Sequence, residues 1–251
     1  MSKSTSPHAA ILCCVCLFAL DATAGEFTGS GELGLAASRG NSKSENVNAK
    51  LELALEQECW SHGFFASALR AKGETTGDFD GDGTVEERFT TTANRFELGA
   101  SSAFRFNGHS YLIGSLRYEN DDFAPFENQA TASLNYGYTF IDSEATRLSA
   151  EAGPGLRRAE LADGSSESEL IARAAVKYRQ QLTETTQLEN NLLVESGSDN
   201  TFIQNFLGVS VAINQALALK AGLEARHNTD VQPGVDKTDT QTTLNLVYNF
   251  K

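Results

Sequence analysis

The chain has 251 residues and sets 33 Asp and Glu against 20 Lys and Arg, a formal charge of −13. That acidic balance excludes nucleic acid as a partner, because phosphate backbones are bound through clustered Lys and Arg. Hydrophobic residues make up 40% of the chain, yet beyond residue 24 they never form the uninterrupted run of about 20 that a membrane-spanning helix needs.

At the N-terminus, Lys3 precedes an apolar run from Ala9 to Leu20, and Ala22-Thr23-Ala24 stands before Gly25. A basic start, a short apolar stretch and a small-residue exit describe a secretory signal peptide over 1–24, with 25–251 as the exported domain. Cys13, Cys14 and Cys16 lie in the signal without a lipoprotein-type sequence before them. The exported part keeps Cys59 alone, so it has no intramolecular disulfide framework.

The exported part alternates. Val47, Ala49, Leu51, Leu53 and Leu55 share one parity, and Asn46, Asn48, Lys50, Glu52 and Glu56 the other. The same division returns in 128–140, where Ala130, Ala132, Leu134, Tyr136, Tyr138 and Phe140 oppose Gln129, Thr131, Ser133, Asn135 and Thr139. It returns again in 147–157 and in 217–226. A helix would scatter these charges around its surface, whereas a strand gathers each parity on one face. About twelve strands fit between the turn signals. They are expected near 27–39, 44–57, 59–71, 89–106, 110–119, 128–140, 147–158, 168–180, 186–196, 202–213, 216–227 and 239–250. The third is the least regular, since Trp60, His62, Phe64 and Phe65 do not alternate cleanly.

Connections after even-numbered strands are short, while several others are long and polar. This predicts an antiparallel up-and-down transmembrane β-barrel with both termini on the periplasmic side. The last strand agrees, because Leu244, Leu246, Tyr248 and Phe250 alternate with Thr243, Asn245 and Asn249. Leu246, Tyr248 and Phe250 form a C-terminal signal of the type read by periplasmic chaperones and the barrel-assembly machinery. A soluble β-sandwich or lipid-carrier barrel also alternates. Aromatic residues next to short turns, such as Phe104, Phe106, Tyr136, Tyr138 and Phe140, favour girdles at a membrane edge, with outer-membrane lipid and lipopolysaccharide as surroundings.

Several fragments carry a family resemblance: Gly31-Glu32-Leu33-Gly34 with Gly40-Asn41, Arg117-Tyr118-Glu119-Asn120-Asp121, Ala152-Gly153-Pro154-Gly155-Leu156-Arg157, and Thr238-Asp239-Thr240 leading into Leu246-Val247-Tyr248-Asn249-Phe250. In order and spacing, from Gly31 to the end, they resemble the salt-induced outer membrane proteins, a family of unknown function. The resemblance implies an outer-membrane barrel and, by name, a link to osmotic conditions. It brings no catalytic residues. Lys251 departs from the many barrels that end on the aromatic residue itself.

With the apolar parity facing lipid, the lumen receives Lys50, Arg95, Arg105, Arg117, Arg147, Arg157, Arg173, Lys177, Arg179, Lys220 and Arg226. Its acids are Glu32, Glu52, Glu56, Glu97, Glu119, Glu151, Glu189, Glu195 and Glu224, and the remaining negative charge falls in acid-rich loops expected at 74–87, 121–127, 160–169 and 230–239. Arg147, Arg157, Arg173, Lys177 and Arg179 come from neighbouring strands. They form either an anion-favouring wall or a set of ion pairs with Glu151, Glu189 and Glu195 that fills and stiffens the lumen.

Asp78, Asp80 and Asp82 have the spacing that opens an EF-hand loop and make 78–87 a weak calcium candidate. Phe89 occupies the position of the closing Glu, so a solvated acidic loop is the plainer reading. No other cofactor is expected. An outer-membrane lipid hydrolase needs a Ser and an orienting group beside a His. Of His62, His109 and His227, only His227 is conceivable, with Ser196 or Ser198, and a non-enzymatic role is expected. The reading is a narrow passive pore for ions or small solutes. The alternative is a non-conducting barrel with a structural role, or a binding role through its acidic loops.

Overall fold

A computed structural model describes residues 25–38, 43–80, 82–124, 126–161, 165–231 and 236–250. The signal proposed for 1–24 lies outside them, as do Gly40, Asn41 and Lys251. Twelve strands follow in chain order: β1 (Glu26–Ser38), β2 (Ser44–Glu56), β3 (Trp60–Gly77), β4 (Glu86–Arg105), β5 (Ser110–Asp121), β6 (Phe126–Asp142), β7 (Thr146–Leu161), β8 (Ser166–Gln181), β9 (Thr186–Ser196), β10 (Thr201–Ala212), β11 (Leu217–Asn228) and β12 (Thr238–Phe250). Each pairs antiparallel with its chain neighbours, and β1 pairs with β12, so the sheet closes on itself and leaves no edge.

The two parities separate as the alternation predicts. Leu33, Leu35, Leu116, Leu134, Tyr136, Phe140, Leu156, Leu170, Leu244 and Leu246 are all exposed on the outside, an apolar surface of the kind a barrel presents to lipid. Glu32, Glu97, Glu119, Glu151, Arg157, Glu195, Lys220 and Arg226 are buried inside. Pro154, which has no N–H to give a ladder, sits on the outward face of β7 where the pairing with β6 skips from Ser133–Gly155 to Tyr136–Ala152.

Rings gather at the end that carries the termini and the short turns. Trp60 lies 5.0 Å from Phe104, Phe104 5.5 Å from Phe106, and Tyr138 5.0 Å from Phe140, measured between ring centroids. This is the girdle geometry expected where amphipathic rings meet an interface. Phe250 and Tyr248 join it at the seam, where Gly29–Gly34 pairs with Asn245–Phe250. Phe250 lies over Gly29, in space that any Cβ there would occupy.

Three expectations need correction. The acid-rich stretch 74–87 is mostly strand, because β3 continues to Gly77, β4 begins at Glu86, and only 78–85 remains as a loop. Likewise, 121–127 and 160–169 shrink to connections at 122–125 and 162–165. The ladders run on past the apolar belt, held there by polar pairs such as the Thr75–Thr90 hydroxyl bond at 2.8 Å. Both faces are wet at that height, so alternation disappears from the sequence while the hydrogen bonds continue. A register shift between Ala71 and Lys72 adds to the effect.

Candidate functional site

Pairing registers place Lys50, Glu52, Arg95, Glu97, Arg117, Glu119, Arg147, Glu151, Arg157, Arg173, Lys177, Arg179, Glu189, Glu195, Lys220, Glu224 and Arg226 on the inner parity of their strands. They do not form one wall. They form a wide vestibule at the short-turn end and a crowded septum nearer the long-loop end.

The septum is built across the lumen. Arg226 on β11 forms an ion pair with Glu119 on β5. Around the ring, β5 and β11 are separated by six steps through β6 to β10 and by six through β4, β3, β2, β1 and β12, so this pair spans a diameter. Arg117 binds Glu119 from the same strand, Glu97 at 2.8 Å and Glu195 at 3.1 Å. Arg95 reaches Glu224 at 2.6 Å and Gln241 at 3.2 Å. Phe202 stands between two cations, with the guanidinium carbons of Arg117 and Arg226 each 5.0 Å from its ring centre. The planar guanidinium suits this double use, stacking on the ring while its edge donates to carboxylates.

Charges so enclosed are stable only when paired, because desolvation of a lone ion costs several kcal/mol. Arg157 illustrates the rule: its side chain is 1% exposed, bound to Glu169 and donating to the Asn200 carbonyl at 2.6 Å. Arg173 lies 3.5 Å from Glu151 and 3.6 Å from Glu195, and Lys177 lies 3.0 Å from Glu151. Arg157 and Arg173 are thus enclosed among carboxylates, while Lys177 touches Glu151 with its side chain still 55% exposed.

Toward the short-turn end, a cavity of about 1440 Å³ opens. Lys50 with Glu52 at 2.9 Å, and Lys220 between Glu32 and Glu189, lie on its wall. Lys50 and Lys220 also approach the face of Phe206, at 5.9 and 5.0 Å. Arg147 stands at the rim with Asp142 3.9 Å away, and Arg105 binds Glu56. On the far side of the septum lies a depression of only about 20 Å³, lined by Glu119, Phe202 and Arg226. Arg117, Glu97 and Glu195 line the large cavity instead, so two rows of paired side chains stand between the two spaces.

Phe202, Phe206, Tyr111 and Phe65 are inner-face residues that the charge inventory missed. Phe65 lies over Gly99 and Tyr111 over Gly137, each ring filling the space its cross-strand glycine leaves. Phe65 accounts for the irregular third strand, since Trp60, His62 and Phe64 face outward while Phe65 faces in. Phe202 and Phe206 share the parity of Gln204 and Gly208, and that polar company is the signal that placed them inside.

Outside the lumen, the carboxylates of Asp78, Asp80 and Asp82 lie within 4.8 Å of one another and are exposed. Gly83 adopts φ +84°, and its N–H donates to Asp78 at 2.9 Å, while Thr84 N–H donates to Asp82 at 2.7 Å. That Thr84 N–H holds the Asp82 carboxyl below its usual range. The loop could offer three hard oxygen ligands. Glu86, just beyond the loop, gives its carboxylate to Arg88 at 2.7 Å, and the metal-sized group is Asp78, Asp80 and Asp82. Of the serine and histidine candidates, His227 bonds Thr238 at 2.8 Å, Ser196 bonds Thr201 at 3.0 Å, and Ser198 bonds Glu169.

A closed antiparallel ring of twelve strands, apolar outside and charged inside, has the β-barrel fold that outer-membrane porins also have. The chain belongs to the family described as "Protein of unknown function, DUF481", which it matches over residues 31–250. The uncharacterized protein YdiY of Escherichia coli K12 is 25% identical over 225 residues, covering 89% of this chain and 83% of that one. Among solved structures, the NanC porin superposes with a TM-score of 0.50 at 8% identity, over 90% of this chain and 100% of the porin. The KdgM porin gives 0.45 at 10% identity, over 90% and 100%.

Proposed function

We propose that this protein is a non-enzymatic outer-membrane barrel acting as a narrow pore for ions and small solutes, exported with residues 1–24 removed. The observation that carries the reading is the lumen itself: a cavity of about 1440 Å³ with charged walls, interrupted by a septum of paired side chains. Strongly hydrated walls cost nothing in a channel that holds water, whereas a barrel that only had to be filled would be served by apolar packing. In this reading the outer apolar set meets lipid and lipopolysaccharide. The short-turn end faces the periplasm, and the barrel-assembly machinery reads Leu246, Tyr248 and Phe250. A link to salt or osmotic conditions belongs to the same proposal.

One observation favours a second reading. The diametric Arg226–Glu119 pair closes the path, as a non-conducting structural or loop-binding barrel requires. Planar-bilayer recording of the refolded chain 25–251 decides between them. Reproducible conductance steps are expected for a pore. Silence from folded wild type and from a folded Arg226→Ala variant would sink the pore and leave the second reading.

A further inference from the structure

The vestibule wall made by β7 and β8 contains a feature that ion pairing does not explain. Arg147 and Arg179 are direct cross-strand partners on the inner face, and Lys177 follows Arg179 on the same face of β8. Like charges placed directly opposite each other destabilise a sheet. Inside the septum the guanidinium groups have carboxylates beside them, whereas this pair is offset only at longer range, Arg147 by Asp142 at 3.9 Å and Arg179 by Glu52 without an ion pair. Glu189 is the register partner of Arg179 on β9, yet its carboxylate is engaged by Lys220. Among the described residues Arg179 is left with no ion pair or hydrogen bond, although it is exposed to the cavity. Arg147 has only Asp142, at 3.9 Å, and the Lys177 side chain is 55% exposed while touching Glu151.

The wall opposite has the other sign. From β8 to β2 the ring counts six steps either way, through β9 to β1 or through β7 to β3, so β2 faces β8 across the vestibule. There Glu52 and Glu56 line the cavity, each served by a cation of its own side, Lys50 and Arg105. An oxyanion entering at the short-turn end is repelled by one wall and met by two guanidinium forks and an ammonium on the other.

We infer that Arg147, Lys177 and Arg179 form a binding site for the oxyanion group of a small solute, a phosphate or a carboxylate, inside the vestibule. The guanidinium edge offers paired N–H donors at the spacing of two such oxygens. The site needs access only from the short-turn end, so it stands whether or not the septum conducts.

The test is binding, not conduction. The refolded chain in detergent at low ionic strength is titrated with inorganic phosphate, followed by ³¹P line width, and in parallel with acetate, followed by ¹³C line width. Saturable binding of either probe is expected, weakened about tenfold by Arg179→Gln, the scale of one lost charge-assisted hydrogen bond. It should be partly restored in Arg179→Lys and unaffected by Arg70→Gln on the outer face. Binding of phosphate alone assigns the site to phosphate groups, and binding of both assigns it to oxyanions generally. Absence of saturable binding by the folded wild type, or equal binding by a folded Arg147→Gln/Arg179→Gln variant, overturns the inference.

Discussion

Arg226 and Glu119 are 107 residues apart in the chain, lie on strands six steps apart in a ring of twelve, and meet in the middle of the lumen. Neither residue has its partner on a neighbouring strand. The pair works as a crossbar, steadied by Phe202 beneath the Arg226 guanidinium and by Arg117 on the other side of Glu119. It lines the small depression and not the large cavity, which ends at Arg117, Glu97 and Glu195.

Shortening the bar should widen the path. Arg226→Ala is expected to raise single-channel conductance several-fold over wild type, and Arg226→Lys, which keeps charge and most of the reach, should stay near wild type. Truncation also strips Glu119 of one of its two guanidinium partners, so a loss of stability accompanies the opening. Heat-modifiable gel mobility separates folded from misfolded protein before recording. Equal conductance in folded wild type and Arg226→Ala would show that the bar is not the constriction.

Glu32 clamps the seam. Its carboxylate takes Lys220 at 2.8 Å and the Asn245 amide at 3.0 Å, and Asn245 in turn takes Asn48 at 2.9 Å, so β2, β1, β12 and β11 are tied from within. Glu32→Ala leaves Lys220 with Glu189 alone and is expected to cost about 3–5 kcal/mol, the range for breaking a buried pair. Urea unfolding in detergent, followed by Trp60 fluorescence, measures the loss. An unchanged midpoint would count against the clamp.

Closure also depends on Gly29. A side chain there would collide with the Phe250 ring, whereas nothing lies within 4 Å of a Cβ built on Gly31, two residues along the same face. Gly29→Val should therefore slow or prevent formation of the folded gel band, and Gly31→Val should fold as wild type does. Similar folding rates for the two variants would show that the Phe250 ring moves aside at little cost.

The acidic loop makes a weaker demand. With β4 already begun where a closing ligand belongs, calcium should bind 78–85 only at millimolar levels, and EDTA should leave the thermal midpoint unchanged. A rise in midpoint at micromolar calcium, lost in Asp80→Ala, would contradict this. Acid should affect the same turn. Asp82 has a depressed pKa, so its contribution is complete above the ordinary aspartate pKa and fades as pH falls through the folded value. The protection of the Thr84 amide, measured against its intrinsic exchange rate at each pH, should therefore fall on acidification, and Asp82→Asn should remove that dependence.

Much of this was readable from one strand at a time. Alternation in 47–55, 128–140 and 244–250 determined that the chain beyond residue 24 is built of two-faced strands, because a period of two leaves a strand no other way to sort its side chains, and the aromatic residues beside the short turns pointed to the apolar face as the outer one. The charges that alternation assigned inward share the inner parity of their strands, but Glu169, which pairs with Arg157, was not among them. Strand ends above the belt were not readable, since there both faces are wet. Phe65 was not readable either, since an inward ring over Gly99 obeys packing across strands and not polarity along one. Only the closed tertiary structure decided which inward charges meet. Partners such as Arg226 with Glu119 and Arg95 with Glu224 lie on opposite walls, and Glu189 leaves its register neighbour Arg179 for Lys220. Sequence periodicity sets the face of a strand, but a contact across a lumen depends on strand number, stagger and tilt together, which no single strand contains.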